Sequence, residues 1–112
     1  MYEEIPKLPR GDALRLLESD DNAMRARGLL SLAMYDEDWS RVQALSLELI
    51  QDADAGMRGT AALALAHLAR IHRRLDLDRV LPALNQLAGD PEIGWRARDA
   101  LDDINTFIRN AT

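Results

Sequence analysis

The stretch DAGMRGTAALAL, Asp54–Leu65, contains the pattern from which the fold can be predicted. Two related stretches occur elsewhere, DNAMRARGLLSL at Asp21–Leu32 and DPEIGWRARDAL at Asp90–Leu101. Each begins with an aspartate and has a large apolar residue at its fourth position. Aligned on that apolar residue, the pattern recurs after 33 and then 36 residues. A repeat of this length indicates a repeated structural unit.

Each stretch has the periodicity of an α-helix. Counted from the aligned apolar residue, offsets four, seven, eight and eleven fall on one face of a helix with 3.6 residues per turn. Small residues occupy offsets four and seven, where a neighbouring helix can approach closely, and larger residues occupy eight and eleven. The leading aspartate is predicted to cap the helix, since its carboxylate accepts hydrogen bonds from unpaired N–H groups. Pro91 fits the first helical position of the third helix.

Further helical patterns lie between the stretches. DWSRVQALSLELIQ begins at Asp38 and DLDRVLPALNQLAG at Asp76, with Asp38 and Asp78 as the predicted caps, and GDALRLLES begins at Gly11. The sequence therefore predicts an all-α fold of six helices in antiparallel pairs, 12–18 with 22–35, 39–51 with 55–73, and 77–88 with 91–109. The chain, 1–112, is expected to form a single domain with repeats at about 12–35, 39–73 and 77–109.

Helix pairs that repeat at this period are typical of α-solenoids. The three aspartate-led stretches, together with VLPALNQLAGDPE at Val80–Glu92, resemble short HEAT-like repeats, and the resemblance covers roughly residues 12–108. It implies a three-repeat, right-handed HEAT-like superhelix in which the second helix of each pair lines the concave side.

The resemblance also implies a ladder of ion pairs between stacked repeats. In HEAT-like proteins the ladder is formed by the turn aspartate and the arginine that follows the aligned apolar residue. That role falls to Asp21 with Arg25 and to Asp54 with Arg58. Gly94 stands at the arginine position of the third repeat and leaves the ladder broken there.

The amino-acid composition indicates which kinds of partner and which cellular compartment to expect. The chain has 112 residues, no cysteine and a net charge of −5, and its longest apolar runs are far shorter than the ~20 residues of a membrane span. Without cysteine it has neither disulfides nor thiolate metal sites. The acidic balance disfavours a nucleic-acid partner and fits a basic protein partner. No signal peptide is visible, so the sequence predicts a cytoplasmic protein without membrane contact.

Residues that could carry chemistry are few. His67 and His72 are five residues apart, whereas two ligands on one helix face need a spacing of three or four. The sequence has no nucleophile elbow and no glycine-rich phosphate loop, and its adjacent carboxylates lie at helix junctions where capping explains them. We therefore predict no catalytic, cofactor-binding or metal-binding residues, and not an enzyme.

A partner-binding surface is predicted from the faces of the second helices. Offsets two, six, nine and thirteen point away from the buried stripe. They form an apolar strip in the first two repeats and bring a tryptophan beside carboxylates in the third. The predicted partner-binding residues are Leu30, Leu63, Trp95, Asp99, Asp102 and Asp103.

Packing offers an alternative explanation of the same residues. The two leucines could contact each other between repeats, and Trp95 could hold the second and third repeats together. The aspartates could form intrahelical pairs, Arg96 with Asp99 and Arg98 with Asp102. At the N-terminus, the segment Tyr2–Pro9 is expected to cover the first helix.

These features indicate a non-catalytic protein-binding solenoid. The most specific hypothesis is a bacterial immunity protein that neutralises a toxin, in its narrowest form a basic nuclease domain of a contact-dependent inhibition system. An adaptor or regulatory subunit of a larger complex is the second hypothesis. The third is an enzyme of the HEAT-like lyase or DNA-repair type, which would need a polar pocket or a basic concave face.

Overall fold

The computed structural model describes residues 5–109, and that range contains six α-helices and no strand. This confirms the predicted all-α fold. The helices are α1 (Arg10–Leu17), α2 (Asn22–Tyr35), α3 (Trp39–Leu49), α4 (Ala55–His72), α5 (Leu77–Leu87) and α6 (Gly94–Ile104), and a π-helical turn, Asn105–Arg109, follows α6. None of the helices in the described range is both long enough and apolar enough to cross a membrane.

The helices form three pairs in two layers. Helix α1 packs against α2, α3 against α4, and α5 against α6. Helix α2 also packs against α4, and α4 against α6. We call α1, α3 and α5 the first layer, and α2, α4 and α6 the second layer. The second layer is continuous, so it supplies most of the contacts between successive pairs.

Helix α4 is the centre of the core. Its predicted stripe is buried, including Met57, Ala61, Ala64, Leu65 and Leu68, because first-layer and second-layer neighbours cover it. The alanines allow the neighbouring helices to approach closely, and the larger residues fill the space between them.

The same stripe is less well covered in the first pair. Met24 and Tyr35, at the two ends of α2, are 36% and 37% exposed although the repeat pattern places them on the packed face. Helix α1 has only 8 residues, whereas α2 has 14. Because α1 is this short, it covers the middle of α2 and leaves the two ends of α2 exposed.

Three of the predicted caps are confirmed. The carboxylate of Asp21 accepts a hydrogen bond from the N–H of Ala23, Asp38 from that of Arg41, and Asp54 from that of Met57. Each satisfies an N–H group that has no partner within its helix. The predictions held here because a cap depends only on residues a few positions away.

The predicted start of α5 at residue 77 is confirmed, but its predicted cap and the predicted start of α6 are wrong. Helix α5 begins after Asp76, so Asp78 lies in its first turn and is not the cap. Helix α6 begins at Gly94, and Pro91 lies in the turn before it. The carboxylate of Asp90 accepts from the N–H groups of Glu92 and Ile93, which closes a separate turn ahead of the helix.

Gly94 is where α6 comes close to the preceding helix. A Cβ atom at this position would collide with the main-chain carbonyl group of Ala88, just beyond the end of α5. The glycine therefore permits a tight junction between α5 and α6 that a side chain would prevent.

An arginine–aspartate ladder is present, but its pairs differ from those implied by the HEAT resemblance. Arg25 binds Asp52 at 2.7 Å, and Arg58 binds Asp90 at 3.0 Å. Each arginine therefore reaches forward to the turn that precedes a later second-layer helix, and the implied pairs Asp21–Arg25 and Asp54–Arg58 are wrong. Gly94 does not break the ladder at Asp90, because that carboxylate is held by Arg58.

Both ladder carboxylates are held in the ionised form. The Arg25 guanidinium, together with the N–H of Asp54, keeps the pKa of Asp52 below its usual value. Hydrogen bonds from the main-chain N–H groups of the turn, followed by Arg58, lower the pKa of Asp90. Arg58 also donates to the main-chain oxygens of Asp52 and Ala53. Its side chain thus joins two successive turns.

The segment before α1 is bound to α2. The N–H of Leu8 donates to the hydroxyl of Ser31, and the hydroxyl of Tyr35 donates to the carbonyl of Ile5, each at 3.1 Å. Arg10 forms two hydrogen bonds with Asp36 just beyond α2. Of the segment expected to cover the first helix, residues 5–9 thus bond to the second helix, and residues 2–4 lie outside the described residues.

Candidate partner-binding surface

One face of the second layer is turned away from the first layer. It is formed by offsets three, six and ten of each repeat, whose side chains are half-buried or exposed. We call it the second-layer face. Its residues are Arg27, Leu30 and Met34 on α2, Thr60, Leu63 and His67 on α4, and Arg96, Asp99 and Asp103 on α6.

The two leucines predicted to bind a partner lie on this face. Leu30 and Leu63 are half-buried, and neither is among the partly buried side chains that pack against the core. Met34 is half-buried beside Leu30 on the same helix. The middle of the second-layer face is therefore apolar on α2 and α4 and carries carboxylates on α6.

Offsets two and nine were assigned to this surface, and in the first two repeats that assignment is wrong. Ala33 and Ala66 are buried, with exposed fractions of 0% and 2%. A Cβ atom on Gly59 would lie 3.4 Å from the Cγ atom of Arg96 and 3.6 Å from Ile93. Since Ala66 follows Gly59 by two helical turns, this side of α4 faces α6 and not the solvent.

The corresponding side of α6 is exposed. Trp95 has 48% of its surface exposed, and Asp102 is also exposed. These are the offset-two and offset-nine positions of the third repeat, equivalent to Gly59 and Ala66. Trp95 and Asp102 thus form a surface at the C-terminal side of the array, which we call the α6 edge.

Arginine contacts decide which of the α6 carboxylates are available. Arg96 lies over the ring of Trp95, 4.4 Å from its centroid, and Arg98 donates to the carbonyl of Ala88. The expected intrahelical pairs with Asp99 and Asp102 are therefore not formed. Among the described residues, Asp99 and Asp102 have no ion-pair or hydrogen-bond partner.

Asp103 differs from its two neighbours. It pairs with Arg70 of α4 at 3.3 Å, and its side chain is 26% exposed. The predicted site is therefore divided between two surfaces. The second-layer face carries Leu30, Leu63, Asp99 and Asp103, of which Asp103 is bound to Arg70, and the α6 edge carries Trp95 and Asp102.

The two histidines lie on α4, the longest helix. Among residues 5–109, no group of three or more His, Cys, Asp and Glu side chains could hold a metal ion. His67 is half-buried on the second-layer face, and burial lowers its pKa, with a smaller effect from Arg70 that Asp103 opposes. A histidine with a lowered pKa is neutral near pH 7 and suits a weakly polar contact surface.

A cleft lies in the first layer, between the end of α3 and α5. Its volume is about 530 Å³, and it is lined by Ile50, Gln51, Ala83, Gln86, Leu87, Gly89 and Asp90. Asp90 is its one ionisable side chain, and that carboxylate is bound by Arg58. General acid–base catalysis needs a titratable group free to exchange a proton with a substrate, and this cleft offers none.

One exposed cluster was not predicted from the sequence. At the C-terminal end of α4, Ile71 is 50% exposed. The Arg73 guanidinium lies 5.7 Å from the ring centroid of Phe107, and that of Arg74 lies 5.2 Å from the ring of Trp39. In the sequence these arginines look like ordinary helix-end cations. Ile71 among several cations is the signal that could have drawn attention to them.

Comparison with known proteins finds a likeness among solved structures. No protein-family model matches the chain, and no curated protein matches it significantly. Among solved structures, the chain is similar to a chain in the crystal structure of a CDI complex from Cupriavidus taiwanensis. The TM-score is 0.86, the sequence identity is 29%, and the alignment covers 96% of each chain.

Proposed function

We propose that this protein is an immunity protein that binds and neutralises a toxin of a contact-dependent inhibition (CDI) system. The likeness to a chain of the Cupriavidus taiwanensis CDI complex carries this proposal, because it spans 96% of both chains. The sequence led to the same hypothesis independently, from small size, acidity and the lack of catalytic motifs. Fold alone does not specify function, so the surfaces must supply the rest.

The proposed mechanism is binding without catalysis. Within residues 5–109, the cleft between α3 and α5 has its one carboxylate bound by an arginine, and no group of three or more His, Asp and Glu side chains could hold a metal ion. A protein with this surface inhibits by covering part of its partner. The three helix pairs stacked in two layers also support the HEAT-like relationship that we propose for the fold.

The second-layer face and the α6 edge are the proposed contact surface. Leu30 and Leu63 supply apolar area, and Trp95 is the largest exposed anchor. Asp99 and Asp102 lack cationic partners in the described chain, which leaves them available to cations of a basic toxin. Rim charges of this kind accelerate association more than they prolong the complex.

A binding and protection assay tests this proposal. The toxin domain encoded beside this protein should form a stable complex with it, and cells that make both should grow when cells that make the toxin alone do not. Failure of the purified proteins to associate, together with failure to protect, would remove the immunity role. Protection without association would instead indicate an enzymatic or indirect mechanism.

Two variants locate the contact. Trp95→Ala should accelerate dissociation of the toxin by about tenfold or more. Asp99→Asn with Asp102→Asn should slow association by roughly threefold to tenfold at low salt and flatten its salt dependence. Asp12→Asn removes a carboxylate from α1, away from the proposed surface, and serves as the control. Unchanged kinetics in the first two variants would exclude the α6 edge and Asp99 from the contact.

A further inference from the structure

The C-terminal end of α4 carries a cationic surface built from three parts of the chain. Arg73 and Arg74 extend from the end of α4, one over Phe107 in the final π-helical turn and the other over Trp39 at the start of α3. Ile71, half-exposed, lies next to them in the sequence. We call Ile71, Arg73 and Arg74 the arginine corner. Cation–π contacts restrict flexible guanidinium groups and so prepare them for a ligand.

The two arginines are not used for ion pairing within the protein. Among the described residues, neither guanidinium has a carboxylate partner within salt-bridge distance, whereas the neighbouring Arg70 is bound to Asp103 at 3.3 Å. Asp76 and Asp78 follow closely in the sequence and form no salt bridge with them. Both guanidinium groups are therefore available to donate to carboxylates of a ligand.

The backbone of Arg73 provides a second, independent observation. It has a φ of 53°, the one positive φ among the non-glycine residues described, and it terminates α4 in the left-handed conformation. Glycine is the usual residue at such a position, because a side chain is disfavoured there. Arginine is thus not the residue that the backbone favours, and strained positions of this kind concentrate at functional sites.

We propose that the arginine corner binds an acidic polypeptide segment that places an apolar side chain on Ile71. Carboxylates of the segment would bind the Arg73 and Arg74 guanidinium groups, which are suited to paired hydrogen bonds with carboxylates. Nucleic acid fits less well, since a phosphate backbone makes no use of Ile71 and is repelled by the net charge of −5. The proposal does not depend on the toxin-binding role, because the arginine corner contains no residue of the second-layer face or of the α6 edge.

Fluorescence titration with defined peptides tests the arginine corner. The probes are a fluorescent glutamate–leucine peptide, an all-glutamate peptide of equal length, and a lysine–leucine peptide as the reversed-charge control. Trp95→Phe leaves Trp39 as the single tryptophan, so its emission reports binding beside Arg74. The glutamate–leucine peptide should bind most tightly, change the Trp39 emission and weaken with salt.

Variants of the corner should separate binding from folding. Arg73→Gly and Arg74→Gln should each weaken peptide binding by roughly threefold to tenfold. Arg73→Gly should do so without lowering thermal stability, because glycine relieves the left-handed backbone. Arg15→Gln makes the same change in net charge on α1, away from the corner, and should bind as the original protein does.

Either of two results would overturn the proposal. The first is equal affinity of the glutamate–leucine peptide for the original protein and for the double variant Arg73→Gly with Arg74→Gln. Absence of binding to both proteins counts as the same result. The other is tighter binding of a single-stranded oligonucleotide than of the peptide, lost in the same double variant, which would make nucleic acid the ligand. Neither result depends on whether a toxin binds elsewhere, so the two proposals can fail separately.

Discussion

Helices α4 and α6 carry the same repeat pattern in different surroundings. At offsets two and nine, α4 has Gly59 and Ala66, and α6 has Trp95 and Asp102. On α4 this side packs against the next second-layer helix, and only small apolar residues fit. On α6 the same side is exposed and carries a large ring and a charge. In a stacked array, a position therefore takes its role from the neighbour that covers it as much as from its place in the repeat.

Exchanging the offset-nine residues of α4 and α6, Ala66 and Asp102, should have the largest effect on stability. Ala66→Asp puts into α4 the residue that α6 carries at offset nine, and it buries a carboxylate without a partner. We expect a loss of about 3–5 kcal/mol in the free energy of unfolding, measured by urea denaturation. Asp102→Ala should change it by less than about 0.5 kcal/mol. Similar effects from both changes would mean that α6 does not cover Ala66.

Substitution by alanine should change the stability of the protein in opposite directions at two glycines that lie where helices cross. A Cβ atom on Gly28 would lie 2.5 Å from the carbonyl oxygen of Ala13 and 2.9 Å from the Cβ atom of Leu16, so Gly28→Ala should cost about 1–3 kcal/mol. The closest contact at Gly59 is 3.4 Å, to a flexible arginine side chain. Gly59→Ala should therefore be neutral or stabilise by up to about 1 kcal/mol, since alanine favours the helix. Thermal melts of both variants would reveal the signs.

The two turn aspartates form a smaller contrast. Asp54→Ala removes a helix cap and should cost about 1 kcal/mol. Asp90→Ala removes two hydrogen bonds within a turn together with the ion pair to Arg58, so it should cost more. A double-mutant cycle with Arg58→Gln should assign the difference to the ion pair. If Asp54→Ala is the more damaging change, the forward ladder contributes nothing.

Stability should fall with decreasing pH in two separate windows. The pKa of His67 is lower in the folded protein than its ordinary value of 6.5. Its contribution to stability is therefore fully present above pH 6.5 and is lost as the pH falls below that value. Asp36 and Asp52 also have lowered pKa values, and their contributions are present above 3.8 and lost as the pH falls further. Urea midpoints measured from about pH 8 to about pH 3 should show both declines. His67→Gln should remove the upper one and Asp52→Asn should reduce the lower.

Features that depend on nearby residues were predictable from the sequence. The six helices follow from apolar periodicity, and the caps at Asp21, Asp38 and Asp54 follow from residues within one turn. The cap at Asp78 was wrong because Asp76 lies directly before α5, and the start of α6 at Pro91 was wrong because Asp90 closes a separate turn ahead of that helix.

Features that depend on other repeats were not predictable in the same way. The periodicity shows which side of α4 is buried, but not that Gly59 and Ala66 are covered by α6 while Trp95 is left exposed. Arg25 binds Asp52, which is 27 residues away in the sequence. This pairing depends on how the helix pairs stack, which no local sequence pattern shows. The arginine corner likewise appears only when α3, α4 and the final turn are brought together.

The ladder gives the array unequal stiffness along its two edges. Two ion pairs, Arg25–Asp52 and Arg58–Asp90, lie where the second-layer helices begin. All four side chains are 20% exposed or less, and Arg58 also donates to a main-chain oxygen of the turn before α4. Where α4 and α6 end, the more exposed pair Arg70–Asp103 bridges them. Bending should therefore pivot about the beginnings of these helices. A partner that reshapes the second-layer face would do so by spreading the ends of α4 and α6.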